Sequence, residues 1–262
     1  MKLWLFLLAL SVVGSFGQEY ERGSEEELEA MKKLQRRRWP DRMIPIKFDS
    51  NFPQAKRHHV YGAMEALNTL TCVNLVNASE SDDRHHILVS NFRPGCFAAL
   101  GYSKRPGKKS QPLNLNQGCF YGRNKVSYHE LLHALGFHHM QVRFERDNFV
   151  EVYKDKVNPS QWHNFNKEKG AEGRLAGMGV PYDYNSIMHY PVFAFGINNA
   201  QTMKVKKEEF EGDVGVSIIP SRTDLAALNR MYECWDHYLG DDIIDSTPYA
   251  KFHGQYFPNP RK

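Results

Sequence analysis

Hydrophobic and polar residues alternate in several short stretches of the first half of the chain, as they do in strands that bury one face. The clearest stretch is Ile44-Pro45-Ile46-Lys47-Phe48, which predicts a strand over 44–48. Further strands are predicted over 87–92 and 97–102. Residues 103–118 are rich in Gly, Pro, Lys and Asn, which predicts a loop with a short strand over 113–115. The first half of the chain therefore predicts a sheet.

Three other stretches carry apolar residues near helical spacing. Residues 54–68 predict a long helix, and residues 125–135 predict the most regular one. Ser221 to Glu233 opens with Ser-Arg-Thr-Asp, which is typical of a helix cap, and continues as an amphipathic helix. Residues 136–190 are rich in loop residues. The second half of the chain is therefore expected to be less regular than the first.

The first 17 residues differ from the rest of the chain. Lys2 is followed by an unbroken apolar run from Leu3 to Val13, and small residues stand at 15–17, where a signal peptidase would cut. A run of this length is too short to span a bilayer, so residues 1–17 are predicted to be a removed secretory signal. No later segment is long and apolar enough to be an anchor. We therefore expect an exported, soluble protein.

Residues 18–38 are polar and acidic at first, continue through a predicted short helix, and end in three arginines. This pattern indicates a short propeptide with a processing site; a solvated helical extension that stays attached is the alternative. From Trp39 the pattern changes to that of a single domain, predicted over 39–235. Residues 236–262 contain aromatic residues, Asp and Pro without a clear periodicity and are interpreted as a short C-terminal tail.

Composition narrows the range of partners and compartments. The formal charge of +4 falls to +3 without residues 1–38, which carry seven Lys/Arg and six Asp/Glu, so neither nucleic-acid nor membrane binding is expected. Four cysteines, an even number, agree with export and predict disulfides, although three pairings are possible. Asn77-Ala78-Ser79 is the usable glycosylation acceptor, because proline spoils Asn158-Pro159-Ser160.

The strongest chemical signal is a histidine-rich segment at the end of the predicted helix 125–135. His129 and His133 are four residues apart, so they share one helix face and can bind one metal ion. Gly136 can take the left-handed conformation that ends the helix and reverses the chain, which brings His139 round as a third ligand. Three imidazoles with one open position describe a catalytic zinc site, whereas a structural site has four protein ligands. We therefore predict one zinc ion per chain.

Glu130 follows the first histidine and is expected to face the open coordination position. Its carboxylate can take a proton from the attacking water, whose pKa zinc lowers to about 7, and pass it to the leaving amine. His138 adjoins the third histidine at the wrong spacing and is interpreted as a neighbour of the site. The segment therefore predicts a zinc-dependent hydrolase with Glu130 as the general base.

Other segments carry a family resemblance. Residues 143–147 read Arg-Phe-Glu-Arg-Asp, and residues 186–190 read Ser-Ile-Met-His-Tyr. Trp39-Pro40 opens the predicted domain, and Met231-Tyr232-Glu233-Cys234 closes it. With the histidine segment, these motifs make the sequence similar over residues 39–234 to the astacin family of metzincin zinc peptidases.

The resemblance implies roles for further residues. Met188 corresponds to the methionine of the Met-turn, which packs under the three imidazoles. Tyr190 corresponds to a fifth zinc ligand that swings away to stabilise the oxyanion of the tetrahedral intermediate, a role suited to a hydroxyl donor. The resemblance also implies two disulfides, Cys72–Cys234 and Cys96–Cys119.

The sequence departs from the family pattern at three places. Met140 stands where astacins have a Glu that receives the buried amino terminus of the mature enzyme. Glu145 replaces the usual Asp. Residues 18–38 lack the Phe-x-Gly-Asp motif that blocks zinc in astacin proenzymes, so any latency is expected to be weak. The matrixins and adamalysins are the nearest alternatives, and the motifs at 143–147 and 186–190 argue against them.

We therefore expect an α+β, metzincin-type fold: a twisted, mostly antiparallel sheet with two long helices, an irregular C-terminal half, and a cleft between them. We expect a secreted, monomeric endopeptidase, and the resemblance implies that its polypeptide substrate lies along an edge strand near 96–102. A catalytically weak or inactive secreted binding protein on the same fold is one alternative, and a zinc carrier or structural zinc module is another. The intact base and ligands disfavour the first alternative, and the absence of a fourth ligand disfavours the second.

Overall fold

The computed structural model describes residues 12–13 and 19–257, so the predicted signal segment 1–17 lies outside the described residues apart from two positions. The strands are β1 (Val12–Val13), β2 (Glu19–Tyr20), β3 (Met43–Phe48), β4 (Asn74–Asn77), β5 (His86–Ser90), β6 (Cys96–Ala98), β7 (Ser110–Leu115), β8 (Val150–Val152) and β9 (Met203–Val205). The helices are α1 (Glu25–Gln35), α2 (Arg57–Leu70), α3 (Lys125–Ala134), α4 (Gly170–Leu175), α5 (Arg222–Met231) and α6 (Tyr249–Tyr256). No helix in this described part is long and apolar enough to cross a membrane.

The main sheet has five strands in the order β4-β3-β5-β7-β6. The β3–β4, β3–β5 and β5–β7 pairs are parallel, and only β6 runs antiparallel to its neighbour β7. The α+β class is confirmed, but the expectation of a mostly antiparallel sheet is wrong. Parallel neighbours need long crossover connections, and the chain supplies them. Helix α2 joins β3 to β4, and residues 91–109 join β5 to β7.

Strand β7 is longer than the short strand predicted over 113–115, and Pro112 lies inside it. Proline lacks an N–H group and is normally excluded from the interior of a sheet. Here β6 pairs with β7 only as far as Leu113, so Pro112 lies beyond the last paired residue on that side. Its carbonyl still accepts a hydrogen bond from the Ala99 N–H at 3.0 Å. Residues 110–112, which were predicted to lie in the loop, therefore belong to the strand.

The core lies between this sheet and the long helices α2 and α3. Strand β3 buries two isoleucines, Ile44 and Ile46, at alternate positions. The predicted apolar face of α2 is buried as well, through Val60, Ala63 and Leu67. This cluster continues into α3, whose buried positions hold the histidine-bearing helix against the sheet.

The C-terminal half is built from 3-10 turns, the small antiparallel pair β8–β9 and the helices α4 to α6, as its loop-rich sequence predicts. Ser221 caps α5, since its hydroxyl accepts the Asp224 N–H and the Asp224 carboxylate accepts the Ser221 N–H. The tail after Cys234 is not without structure. It contains α6, whose Tyr249 and Phe252 are buried in the main core.

Both disulfides implied by the family resemblance are confirmed. Cys72 is bonded to Cys234, which joins the end of α2 to the end of α5. Cys96 is bonded to Cys119, which ties β6 to the turn before α3. The second bond lies directly beside the cleft described below.

Candidate active site

Helix α3 ends as its sequence predicts. Gly136 adopts φ +116°, a conformation that strains any residue with a side chain. The Phe137 N–H donates to the Leu132 carbonyl at 3.1 Å and the Gly136 N–H donates to the His133 carbonyl at 2.9 Å, so the last carbonyls of the helix are satisfied within the turn. This reversal turns the chain back so that His139 reaches the same space as the two helix histidines.

Three imidazoles converge at this turn. The Nε2 atom of His139 lies 3.0 Å from the Nε2 atoms of both His129 and His133. One ligand atom from each of the three side chains lies within 4.8 Å of the others. They are also the only group of three or more potential metal ligands found among the described residues. The structure thus brings together the three predicted ligands.

Backbone carbonyls fix the ring tautomers of the two helix histidines. His129 Nδ1 lies 2.8 Å from the Ile187 carbonyl, and His133 Nδ1 lies 2.6 Å from the Phe137 carbonyl. A carbonyl oxygen only accepts, so each Nδ1 carries the proton and each Nε2 presents a lone pair. This is the arrangement in which histidine ligates a metal ion.

Burial keeps the three rings neutral. It lowers the pKa of His129, lowers the pKa of His133 to about 3, and lowers the pKa of His139 well below its ordinary value. The neighbouring imidazoles lower the pKa values of His133 and His139 further. A metal ligand must be deprotonated, so these rings are ready to bind a cation at neutral pH.

Glu130 lies on the buried side of the same cleft. Burial raises the pKa of its carboxyl to about 8, and its Oε2 atom has no hydrogen-bond partner among the described residues. A buried carboxyl without a partner is costly unless a positive charge or a donor completes its surroundings. The orphan oxygen and the three facing lone pairs together fit a divalent cation, and imidazole nitrogens are ligands that Zn²⁺ prefers.

The Met-turn connects this group to α5. The buried Asp224 carboxylate accepts from the Ser186 hydroxyl at 2.6 Å and from the Ile187 N–H at 3.0 Å. Ile187 in turn accepts the hydrogen bond from His129 described above. Met188 is buried, and its carbonyl accepts the Met140 N–H at 2.9 Å. The turn therefore holds the first histidine and the segment after the third.

Tyr190 follows the Met-turn and reaches the cleft. Its ring centroid lies 4.2 Å from that of His139. Burial, and then the charge of Glu130, raise the pKa of the Tyr190 hydroxyl, so it stays protonated at neutral pH and can donate a hydrogen bond. Its side chain lines the cleft on both sides of the histidines.

Two adjoining cavities, of about 550 and about 390 Å³, form the cleft. Both reach His129, Glu130 and Tyr190, so the histidine group lies between them. Phe97 and Ala98 of β6 line the larger cavity, so an edge strand borders the site near residues 96–102, as the resemblance implies. Among the described strands, none pairs with the outer edge of β6.

Lys125 is a cleft residue that none of the sequence motifs indicates. It lies one turn before His129, lines the smaller cavity, and donates to the Gly215 carbonyl at 2.6 Å. Burial lowers the pKa of this lysine. The i, i+4 spacing to the first histidine is the signal that could have placed Lys125 on the same helix face.

Three other residues named from the sequence lie outside the histidine group. His138 makes a separate contact, with Nδ1 2.9 Å from a Glu168 carboxylate oxygen. Met140 is buried and borders a small cavity of about 40 Å³ together with Glu168 and Asp224. Asn77 is exposed at the end of β4, so its side chain is accessible to a glycosyltransferase. Glycosylation stays a prediction.

The histidine spacing on α3 and the cleft beside the sheet edge define a zincin-like metallopeptidase fold. The profile of the astacin peptidase family matches residues 31–233. The chain therefore belongs to the astacin family, whose members are metalloendopeptidases, as the sequence motifs predict.

Individual relatives agree with this assignment. Zinc metalloproteinase nas-14 of Caenorhabditis elegans is 31% identical over 76% of this chain, and zinc metalloproteinase nas-4 of the same organism is 34% identical over 76%. The aligned regions span 38% and 60% of those two relatives. The solved structure of High choriolytic enzyme 1, a hatching enzyme zinc-protease from Oryzias latipes, has a TM-score of 0.64 and 31% identity over 75% of this chain and 93% of that one.

Proposed function

We propose that the protein is a secreted zinc-dependent endopeptidase that hydrolyses peptide bonds in proteins. His129, His133 and His139 would hold one zinc ion, Glu130 would act as the general base, and Tyr190 would support the oxyanion. The observation that carries the proposal is the convergence of three neutral imidazoles beside a buried carboxyl, at the junction of two open cavities.

His129, His133 and His139 would hold the zinc ion at these nitrogens, and the bound ion would supply Lewis-acid chemistry, polarising the scissile carbonyl and lowering the pKa of water. The charge of a bound cation would oppose the effect of burial on the Glu130 carboxyl and keep it ionised, so that it can take a proton from the attacking water. This carboxyl suits the task because it lines both cavities and its Oε2 atom is not engaged by any described residue. The resulting carboxylic acid then donates that proton to the leaving nitrogen.

Tyr190 has a separate task. Its protonated hydroxyl donates a hydrogen bond to the oxygen that gains negative charge when water adds to the carbonyl. The contact between its ring and His139 supports a position beside the same reacting carbon that Glu130 serves. Base and oxyanion donor thus act on one peptide bond from different elements, α3 and the Met-turn.

The substrate is a polypeptide in extended form. Strand β6 borders the larger cavity and has no partner strand on its outer edge among the described residues, so a substrate segment can add to it through main-chain hydrogen bonds. The cavities on either side of the histidines give room for side chains before and after the cleaved bond. This supports cleavage within a chain.

Secretion and a monomeric state belong to the same proposal. Two disulfides bond all four cysteines, which suits an oxidising compartment. The predicted signal segment 1–17 supports export as well, although it lies almost entirely outside the described residues.

Digestion of casein and gelatin with and without a chelator tests the function. We expect proteolysis that a chelator abolishes and that stoichiometric zinc restores. A Glu130→Gln variant is the matched control, since it keeps the three histidines. Zinc binding without proteolysis in the parent chain would instead identify a binding protein on this fold, and proteolysis that resists the chelator would contradict a zinc mechanism.

A further inference from the structure

The N-terminal segment before Trp39 is packed into the molecule. Helix α1 begins with a capping box formed by Ser24 and Glu27. Its Met31 and Leu34 are buried in the main core, at 0% and 2% exposure. The helix lies against α4 and α6. It is therefore packed against the domain, unlike the solvated extension that is one of the two interpretations of the sequence.

The segment before α1 is fastened to the chain beyond the family domain. The Gly23 N–H donates to the Gln255 carbonyl at 3.0 Å. Arg22 donates to the carbonyls of Gly254 at 2.7 Å and Phe257 at 2.8 Å. The astacin profile matches residues 31–233, so residues 20–30 and 249–257 both lie outside it. These two outlying segments contact each other and close over the same core.

The arginine run, Arg36 to Arg38, is also fixed in place. The side chain of Arg38 donates to the Met231 carbonyl at 3.1 Å and to a Glu233 carboxylate oxygen at 2.5 Å, and it is only 24% exposed. Trp39, on the other side of the bond that would be cut, is 2% exposed. A processing protease needs an extended, accessible segment, and this bond does not present one.

Arg37 reaches the loop that carries the third histidine. Its carbonyl accepts the Tyr102 N–H at 2.6 Å. Gly101 lies so close to the same carbonyl that a Cβ atom added to it would be 2.6 Å from the oxygen. The Arg37 guanidinium donates to His138 Nε2 at 3.1 Å and forms an ion pair with Glu172. His138 therefore has Arg37 at one nitrogen and Glu168 at the other, directly before the ligand residue.

Nothing in this segment covers the cleft. Of the described residues 19–38, none lines either of the two cavities around the histidine group. Cleavage after Arg38 would uncover no binding site, and it would expose the core surface that α1 covers. Activation by removal of the segment thus has no structural basis in the described part of the chain.

We propose that residues 20–38 remain attached in the working enzyme and that Arg37 is a positioning residue for the loop bearing His139. The second half rests on the proposed function, since it concerns the zinc ligands. The first half does not depend on catalysis. It concerns only whether the chain that keeps residues 20–38 is the stable, metal-binding form of the protein.

The attachment is tested by comparing a chain that begins at Gln18 with one that begins at Trp39. We expect the Gln18 chain to be active and intact by mass, and the Trp39 chain to melt lower by more than about 10 °C. An active species that begins at Trp39, or a tenfold gain in turnover when the Gln18 chain is cut after Arg38, would overturn the proposal. A Gln18 chain that binds zinc and outlasts the Trp39 chain, but hydrolyses no peptide either before or after cleavage at Arg38, would contradict the proposed function alone.

The positioning role is tested by Arg37→Met, with Arg36→Met as the matched control. The Arg36 side chain is 65% exposed and forms an ion pair with Glu29, so its loss should leave zinc retention and turnover unchanged. For Arg37→Met we expect about tenfold faster loss of zinc to a chelator, and a fall in kcat with KM within about twofold. Arg37→Lys keeps the charge without the planar guanidinium, so it should give an intermediate rate of zinc loss even if the methionine variant folds poorly. Equal zinc retention in the Arg36 and Arg37 variants would refute the role of Arg37.

Discussion

The Nε2 atoms of His129 and His139 lie 3.0 Å apart, although ten residues separate them in the chain. His129 donates from Nδ1 to Ile187, so it turns an unprotonated nitrogen toward its neighbour. His133 does the same from the next helical turn. Close lone pairs repel each other, and a shared cation replaces that repulsion with three bonds. Three unprotonated nitrogens at this spacing would bind one cation, so that binding should stabilise the folded state.

Metal removal should consequently destabilise the protein. A ligand that binds only the native state stabilises it by about 4 kcal/mol when present at roughly a thousand times its dissociation constant. We expect the chelated enzyme to unfold at a clearly lower temperature and to recover with zinc, as measured by calorimetry. A His139→Ala variant serves as the control, because it should show little response to zinc. An unchanged melting temperature in the parent chain would contradict the three-histidine site.

Replacement of Glu130 should separate binding from chemistry. Glu130→Ala removes the proposed base but none of the three imidazoles. No described residue is hydrogen-bonded to the Oε2 atom, so the substitution leaves no donor without a partner there. We expect zinc content and circular dichroism to be unchanged while peptide hydrolysis falls by about 10³-fold or more. Atomic absorption alongside an activity assay measures both. Near-normal turnover in the variant would exclude this mechanism.

Tyr190→Phe should lower kcat with little change in KM. The hydroxyl is proposed to act only when charge develops on the substrate oxygen, and loss of one such donor costs about 10²-fold or more. Tyr184→Phe is the matched control. Its hydroxyl donates to the Phe149 carbonyl at 2.8 Å and lines neither cavity of the cleft, so it should affect stability alone. Equal kinetics for the two variants would show that Tyr190 is a packing residue.

The two disulfides should differ in their contribution to stability. In the loop-entropy model the Cys72–Cys234 bond, with a sequence separation of 162, contributes about 5 kcal/mol. The Cys96–Cys119 bond, with a separation of 23, contributes about 3 kcal/mol. Denaturant unfolding of the two double-alanine variants measures the difference. The shorter bond should matter more for activity, because Cys96 lines the cleft.

Acid should weaken the contact between the N-terminal segment and the end of α5. Burial alone would raise the pKa of Glu233, but hydrogen bonds from His253 and Arg38 outweigh it and lower the pKa to about 2. A depressed carboxyl pKa contributes stability that is present above the unfolded value, 4.5, and is lost as pH falls toward 2. The contribution is on the order of 3 kcal/mol before solvent screening. Unfolding free energies of the parent and Glu233→Gln should differ at about pH 6 and converge by about pH 2, and a constant difference would contradict this assignment.

The sequence predicts best those features that depend on local spacing. The end of α3 at Gly136, the face shared by His129 and His133, and the capping box at Ser221 all follow from neighbours within a few residues. Strand direction does not, because an alternating strand has the same pattern in a parallel and an antiparallel pair. The parallel sheet is set by where the crossover connections return the chain, which is a property of the whole fold.

The packing of two elements does not follow from the sequence for a different reason. Tyr249 to Tyr256 has aromatic residues on more than one face and a glycine at Gly254, which hides a helical period. Its burial depends on α1 and β2, from the opposite end of the chain. The polar, arginine-terminated sequence of residues 18–38 likewise gives no sign that Met31 and Leu34 enter the core. Contacts between distant segments decided both cases.

The outer edge of β6 has a consequence for which proteins this enzyme would attack. A segment that already belongs to a helix or a sheet uses its own N–H and C=O groups internally and has none to offer a new strand. If substrates bind in the proposed way, only chain that is locally unfolded, such as a mobile loop or a denatured region, would take the extended form that adds to β6. Discrimination among substrates would then begin with their local order, before any side chain is recognised, and stably folded proteins would be spared at all but their most flexible points.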